Sequence, residues 1–119
     1  MDMRVLVAFE DDYRSYRDVI AVGIRISRPY AEVETTTLES LGKRIEQFDP
    51  HLVVCSRPNT LYSRRRTAWV ELSIESTRPT KICVGGRYSK RVNPALEVLL
   101  AVIDEVEELI ESTGDLTGC

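Results

Sequence analysis

Two rhythms of apolar residues run along this chain. Arg4-Val5-Leu6-Val7-Ala8-Phe9 and Leu52-Val53-Val54-Cys55 are nearly unbroken apolar or thiol runs, the pattern of parallel strands covered on both faces. The first opens into Glu10-Asp11-Asp12; the second is entered through Asp49-Pro50-His51 and left through Ser56-Arg57-Pro58. Ala31-Glu32-Val33-Glu34-Thr35-Thr36 alternates weakly and is rich in β-branched residues, which suits a short strand toward a sheet edge. Between these runs the period lengthens. Tyr16, Val19, Ile20, Gly23, Ile24 and Ser27 fall at helical spacing until Pro29, with Asp11 or Asp12 as N-cap. Leu38, Leu41, Ile45 and Phe48 form a second stripe, opened by a capping box of Thr36 and Glu39. Strand, helix, strand, helix, strand with short connections specifies right-handed crossovers and parallel strands in the order 2-1-3.

After Ser56 the pattern changes. Residues 58–66 carry no helical stripe and read as a loop with a basic tip of Arg64, Arg65 and Arg66. Ala68, Val70, Leu72 and Ile74 then alternate with Trp69, Glu71, Ser73 and Glu75, as a half-exposed strand would. Turn residues Ser76 to Thr80 lead to Lys81-Ile82-Cys83-Val84, which ends at Gly85-Gly86. So short a connection predicts an antiparallel hairpin. Asn93 and Pro94 begin a last helix striped by Leu96, Leu99, Leu100, Ile103, Val106 and Ile110, with Gly114 as its stop and a frayed tail over 112–119. The expected architecture is one α/β domain over residues 1–119. It is a three-layer sandwich with three main helices and a mixed five-stranded sheet, the 2-1-3 strands extended by the hairpin.

Composition narrows the partners. The chain has 119 residues, 43% hydrophobic and 29% charged, which suffices for a core without metals. Its net charge of −3 argues against a nucleic-acid-binding domain, whose affinity rests on clustered positive charge. No apolar stretch approaches a membrane span, and the start lacks the regions of a signal peptide, so no membrane partner and a cytoplasmic location are expected. Cys55, Cys83 and Cys119 show no CxxC spacing and read as buried thiols of a reducing compartment.

Candidate chemistry gathers at strand ends. Glu10, Asp11 and Asp12 with Ser56 across the same rim make Mg²⁺ the one candidate ion, with Glu10 and Asp11 as its candidate ligands, and no other cofactor is expected. Acids at a helix N-terminus are favourable without any metal. Gly85-Gly86-Arg87 can cradle a small anion or simply turn the chain tightly, the more common use of such glycines. His51 suits a helix-to-strand junction and Cys55 a buried thiol. Trp69, near Arg64, Arg65 and Arg66, is either an interface anchor or covered by a loop. In the last helix Val98 and Val102 widen the stripe beyond one sheet face, and Asp104, Glu105, Glu107, Glu108 and Glu111 crowd its later turns. A homodimer through this helix, or one pairing these acids with a neighbour's arginines, is expected.

Val5 to Asp11 resembles the first strand and acidic turn of response-regulator receiver domains, and Asp49 to Ser56 is similar to their third strand, with Ser56 at the acceptor position. Lys90 to Leu100 resembles their conserved lysine, short loop and final helix. The resemblance covers residues 4–56 and 87–111 and implies a flavodoxin-like fold. It also implies a vestigial rim of Glu10, Asp11, Asp12, Ser56, Arg57, Gly85, Gly86, Arg87 and Lys90. Ser56 cannot form an acyl phosphate, so phosphorylation on aspartate is not implied. The expected function is a non-enzymatic receiver-like regulatory or protein-interaction domain. The alternative is a small-ligand or nucleotide-binding domain that uses the same rim for a small anionic ligand.

Overall fold

The structure of the protein is a computed structural model that describes residues 3–59, 67–73, 75, 77–92, 95–114 and 116. Strand β1 (Met3–Phe9) runs through a 3₁₀ turn (Asp11–Tyr13) into α1 (Arg14–Ser27), followed by β2 (Ala31–Thr37), α2 (Leu41–Phe48) and β3 (Leu52–Cys55). Then come β4 (Ala68–Glu71), β5 (Pro79–Val84), β6 (Arg87–Val92) and α3 (Leu96–Thr113). The six strands form one sheet in the order β2-β1-β3-β4-β5-β6. The first four are parallel; β5 and β6 are antiparallel to their neighbours.

The expected 2-1-3 order and the β4–β5 hairpin are both present, and the sheet has six strands rather than five. The additional strand is β6, a stretch that the sequence reading assigns to no element. Gly85 and Gly86, at φ 55° and 84°, form the two-residue turn between Val84 and Arg87. Positive φ at both central positions matches the right-handed twist of a hairpin, so the chain after Val84 returns as a strand. About a dozen residues separate β3 from β4, enough for the crossover that sets them parallel.

From β1 the chain moves one strand outward to β2, then back across β1 to β3. Right-handed crossovers therefore put α1 and α2 on opposite faces. The larger core lies on the α1 and α3 face and holds Met3, Val5, Val7 and Phe9 with Ile24, Val54, Val70 and Ile103. The smaller one lies under α2, where Leu41 and Ile45 meet Leu6, Val53, Cys55 and Trp69. Leu38 and Phe48 flank them, as the stripe predicted. Among the described residues, no helix is long and apolar enough to cross a membrane.

Several local expectations are corrected. α1 buries Ile20, Ala21 and Ile24 while Val19 stands 70% exposed, because the helix is turned so that Gly23 faces α3. A Cβ on Gly23 would lie 2.9 Å from Leu96 Cδ2, so the bare glycine permits this close approach. The Thr36–Glu39 capping box does not form: β2 continues through Thr37 in register with Phe9, and α2 begins only at Leu41. Sheet pairing outweighs the cap there, and Thr37 Oγ1 instead accepts the Ser40 N–H at 3.3 Å. The C-terminal tail does not simply fray, since Leu116 is buried in the main core. Cys83 is disulfide-bonded, contrary to the reading of three free thiols, and Cys55 is a free, buried thiol. Gly114 stops α3 as expected, with φ 70° and its N–H on the Ile110 carbonyl at 2.8 Å. Asn93 and Pro94 lie outside the described residues.

Candidate functional site

The reversal of direction between β2 and β3 leaves a crevice at the carboxyl ends of β1 and β3, the place where open α/β sheets collect ligands. Glu10 leaves β1 in extended conformation, φ −60° and ψ 154°, and its carbonyl accepts the Tyr13 N–H at 2.9 Å as the 3₁₀ turn begins. Ser56 follows β3 directly. Its hydroxyl donates to Glu10 Oε1 at 3.2 Å, joining the two strand ends across 46 positions of sequence. Glu10 Oε2 is buried and has no hydrogen-bond partner.

These residues form one wall of a pocket of about 540 Å³. The facing wall comes from the end of β4 and the start of β5: Glu71, Ser73, Glu75, Arg78 and Lys81, with Tyr13 on the near side. Glu71 and Lys81 are directly paired across the two strands, and Arg78 meets Glu75 at 3.3 Å. The rim is held by backbone. Leu72 N–H donates to the Cys55 carbonyl at 2.7 Å, and Ser73 N–H donates to Oγ1 of the buried Thr80 at 3.0 Å. The pocket thus offers the Glu10 acceptor on one side and, on the other, the basic donors Arg78 and Lys81 beside the acids Glu71 and Glu75, in a volume suited to a small molecule.

The other residues singled out from sequence are dispersed. Because β5 runs antiparallel, Gly85, Gly86 and Arg87 lie at the far end of the sheet from Glu10 and Ser56. There the glycines form the hairpin turn, and Arg87 is ion-paired with Glu105 of α3. Lys90 is exposed on β6, opposite Lys81 and three strands away from Ser56. Asp11 and Asp12 are exposed in the 3₁₀ turn. Among the described residues, no group of three His, Cys, Asp or Glu is placed to hold a metal ion. Arg57 contributes its carbonyl, which accepts the Trp69 indole N–H at 2.7 Å and the Cys55 thiol at 3.3 Å.

Trp69 is only 4% exposed and packs with Leu41 and Ile45 in the smaller core, which removes it as an interface anchor. Val102 is likewise core and Val98 packs against that core, because α3 packs against both α1 and the sheet and so needs a wider apolar face. Two of the α3 acids have partners in the same chain, Glu105 with Arg87 and Asp104 with Arg28. The Arg28 guanidinium holds Asp104 through two bonds of 2.8 and 2.7 Å and keeps its carboxyl below the usual value. Arg64, Arg65 and Arg66 lie outside the described residues.

Cys55 and His51 sit in structural roles. Burial pushes the Cys55 thiol up to about 12, so it stays protonated. His51 Nδ1 accepts the Arg4 N–H at 3.0 Å while its own N–H donates to the Arg4 carbonyl, which makes it the junction residue expected. The pocket residues that sequence reasoning missed are Tyr13, Ser73, Arg78 and Lys81. Glu71 had been assigned a polar strand face, but only the pairing of β4 with both β3 and β5 brings that face to the rim of Glu10.

Fold and site together define an open α/β protein with a polar pocket at its switch point. Comparison with protein-family models, curated proteins and solved structures finds no match to this chain.

Proposed function

We propose that the chain is a non-catalytic binding domain whose carboxyl-end pocket takes a small polar ligand, with a regulatory rather than a chemical output. The observation that carries this reading is Glu10: one carboxylate oxygen is held by Ser56 and the other is buried without a partner in the pocket wall. A buried acceptor without a donor is costly, and it is retained where a ligand supplies the donor. The ligand presents a hydroxyl or amine to Glu10 and an anionic group to Lys81 and Arg78 on the facing wall. Amino acids, hydroxy acids and nucleotides have that combination and fit about 540 Å³. The absence of an activated nucleophile at Cys55 or His51 favours binding over catalysis.

The receiver-like reading retains the neighbouring Glu10 and Ser56, but Lys90 stands too far along the sheet to act on the same group. Thermal-shift measurements against these three ligand classes and against acyl phosphates test the proposal. A ligand at a hundred times its Kd stabilises the folded state by about 2.7 kcal/mol. One class raises the melting temperature of the native chain, and the Glu10→Ala variant loses that response. A flat response to all four classes from folded protein sinks the reading.

A further inference from the structure

The outer face of α1 is apolar where solvent should favour polar residues. Val19, Val22 and Ile26 are 70%, 48% and 74% exposed. Their spacing of three and four positions places them within one narrow arc of the helix, opposite the buried Ile20, Ala21 and Ile24. Scattered exposed aliphatics are ordinary, but three forming one ridge mark an interaction surface. Asp18 and Arg25, seven positions apart and both exposed, line one flank of this ridge beside Val22. The other flank is closed by Leu96 against Gly23.

We infer that this face is the contact between two copies of the chain, packed with their α1 helices antiparallel about a two-fold axis at Val22. The charges select this arrangement. A two-fold axis perpendicular to antiparallel helices keeps each flank on its own side, so Asp18 of each copy meets Arg25 of the other, twice. Val22 then faces Val22 of the other copy, and Ile26 faces Val19. Parallel packing places these charged flanks on opposite sides and leaves them unpaired. Among the described residues Asp18 pairs with its half-buried neighbour Arg17, its carboxylate remaining exposed, and Arg25 spends one nitrogen on the Val33 carbonyl at 2.7 Å, leaving others for a partner. Another exposed candidate among the described residues is β6, but its Lys90 and Arg91 oppose a second β6 by like-charge repulsion.

Sedimentation equilibrium of the full chain tests the inference. The native chain is dimeric at micromolar concentration. Val22→Glu sets two carboxylates against each other on the axis, and this variant is monomeric with unchanged circular dichroism and a melting temperature that no longer depends on protein concentration. Asp18→Arg, which confronts Arg25 with a like charge, weakens the dimer by about tenfold, and adding Arg25→Asp recovers most of that loss. A monomeric native chain, or a dimer indifferent to Val22→Glu, overturns the inference. A folded double variant that recovers nothing overturns the antiparallel arrangement.

Discussion

Removing the Glu10 side chain should leave the protein as stable as before, or more so. The Glu10→Ala change deletes two effects of opposite sign. It removes the acceptor for the Ser56 hydroxyl, a contact of 3.2 Å that is long for O–H···O and so belongs near the lower end of about 0.5–1.5 kcal/mol. It also removes a buried carboxylate oxygen without a partner, a burden of about 1–3 kcal/mol. Ser56 is only partly buried and borders the open pocket, so water replaces its lost acceptor. The balance is a gain of about 1 kcal/mol, or roughly 4 °C in melting temperature for a chain of this size. Urea unfolding followed by fluorescence of Trp69, the single tryptophan and 4% exposed, reads this directly as a higher midpoint at unchanged slope. Ser56→Ala is the companion measurement. It takes the donor and leaves both oxygens unpaired, so it destabilises by about 1 kcal/mol. A loss above about 1 kcal/mol in Glu10→Ala refutes the reasoning, because Glu10 would then be a structural strut and not a group kept for a ligand.

Gly85→Ala should cost more than Gly114→Ala in urea unfolding. Both glycines have positive φ and incur about 1 kcal/mol, but a Cβ on Gly85 would also fall 2.6 Å from Leu109 Cδ2, whereas Gly114 has nothing within 4 Å. Stability should also fall at alkaline pH: the Cys55 thiol, raised by burial from 9.0 to about 12, contributes fully below pH 9 and loses its contribution as the pH rises toward 12. Urea midpoints from pH 8 to 11 should therefore decline, less steeply in Cys55→Ala, and Cys55 should resist thiol reagents until the chain unfolds.

Much of this protein is determined by its sequence alone. The unbroken apolar runs at Val5–Phe9 and Leu52–Cys55 fit buried strands, and the helical stripe of Leu41 and Ile45 between strands fits a crossover, so the parallel β1–β3 core and its Glu10–Ser56 rim were legible in local pattern. Chain direction after Ser56 was decided by tertiary structure. Alternation in residues 68–75 describes two faces without saying which strand lies alongside, and pairing with β3 buries Trp69 although the residues two positions either side of it, Thr67 and Glu71, are polar. The Gly85-Gly86 turn states that the chain reverses but not that Arg87–Val92 pairs, since all six of those residues are exposed and carry no apolar signature. That reversal takes Arg87 to one end of the sheet and leaves Lys90 on its margin, away from the rim. Helix rotation is likewise a long-range matter. Tyr16, Val19 and Ile20 satisfy one helical stripe as well as Ile20, Ala21 and Ile24 satisfy another, and the choice rests on the approach of Leu96 to Gly23, 73 positions apart, which turns Val19, Val22 and Ile26 to the outside.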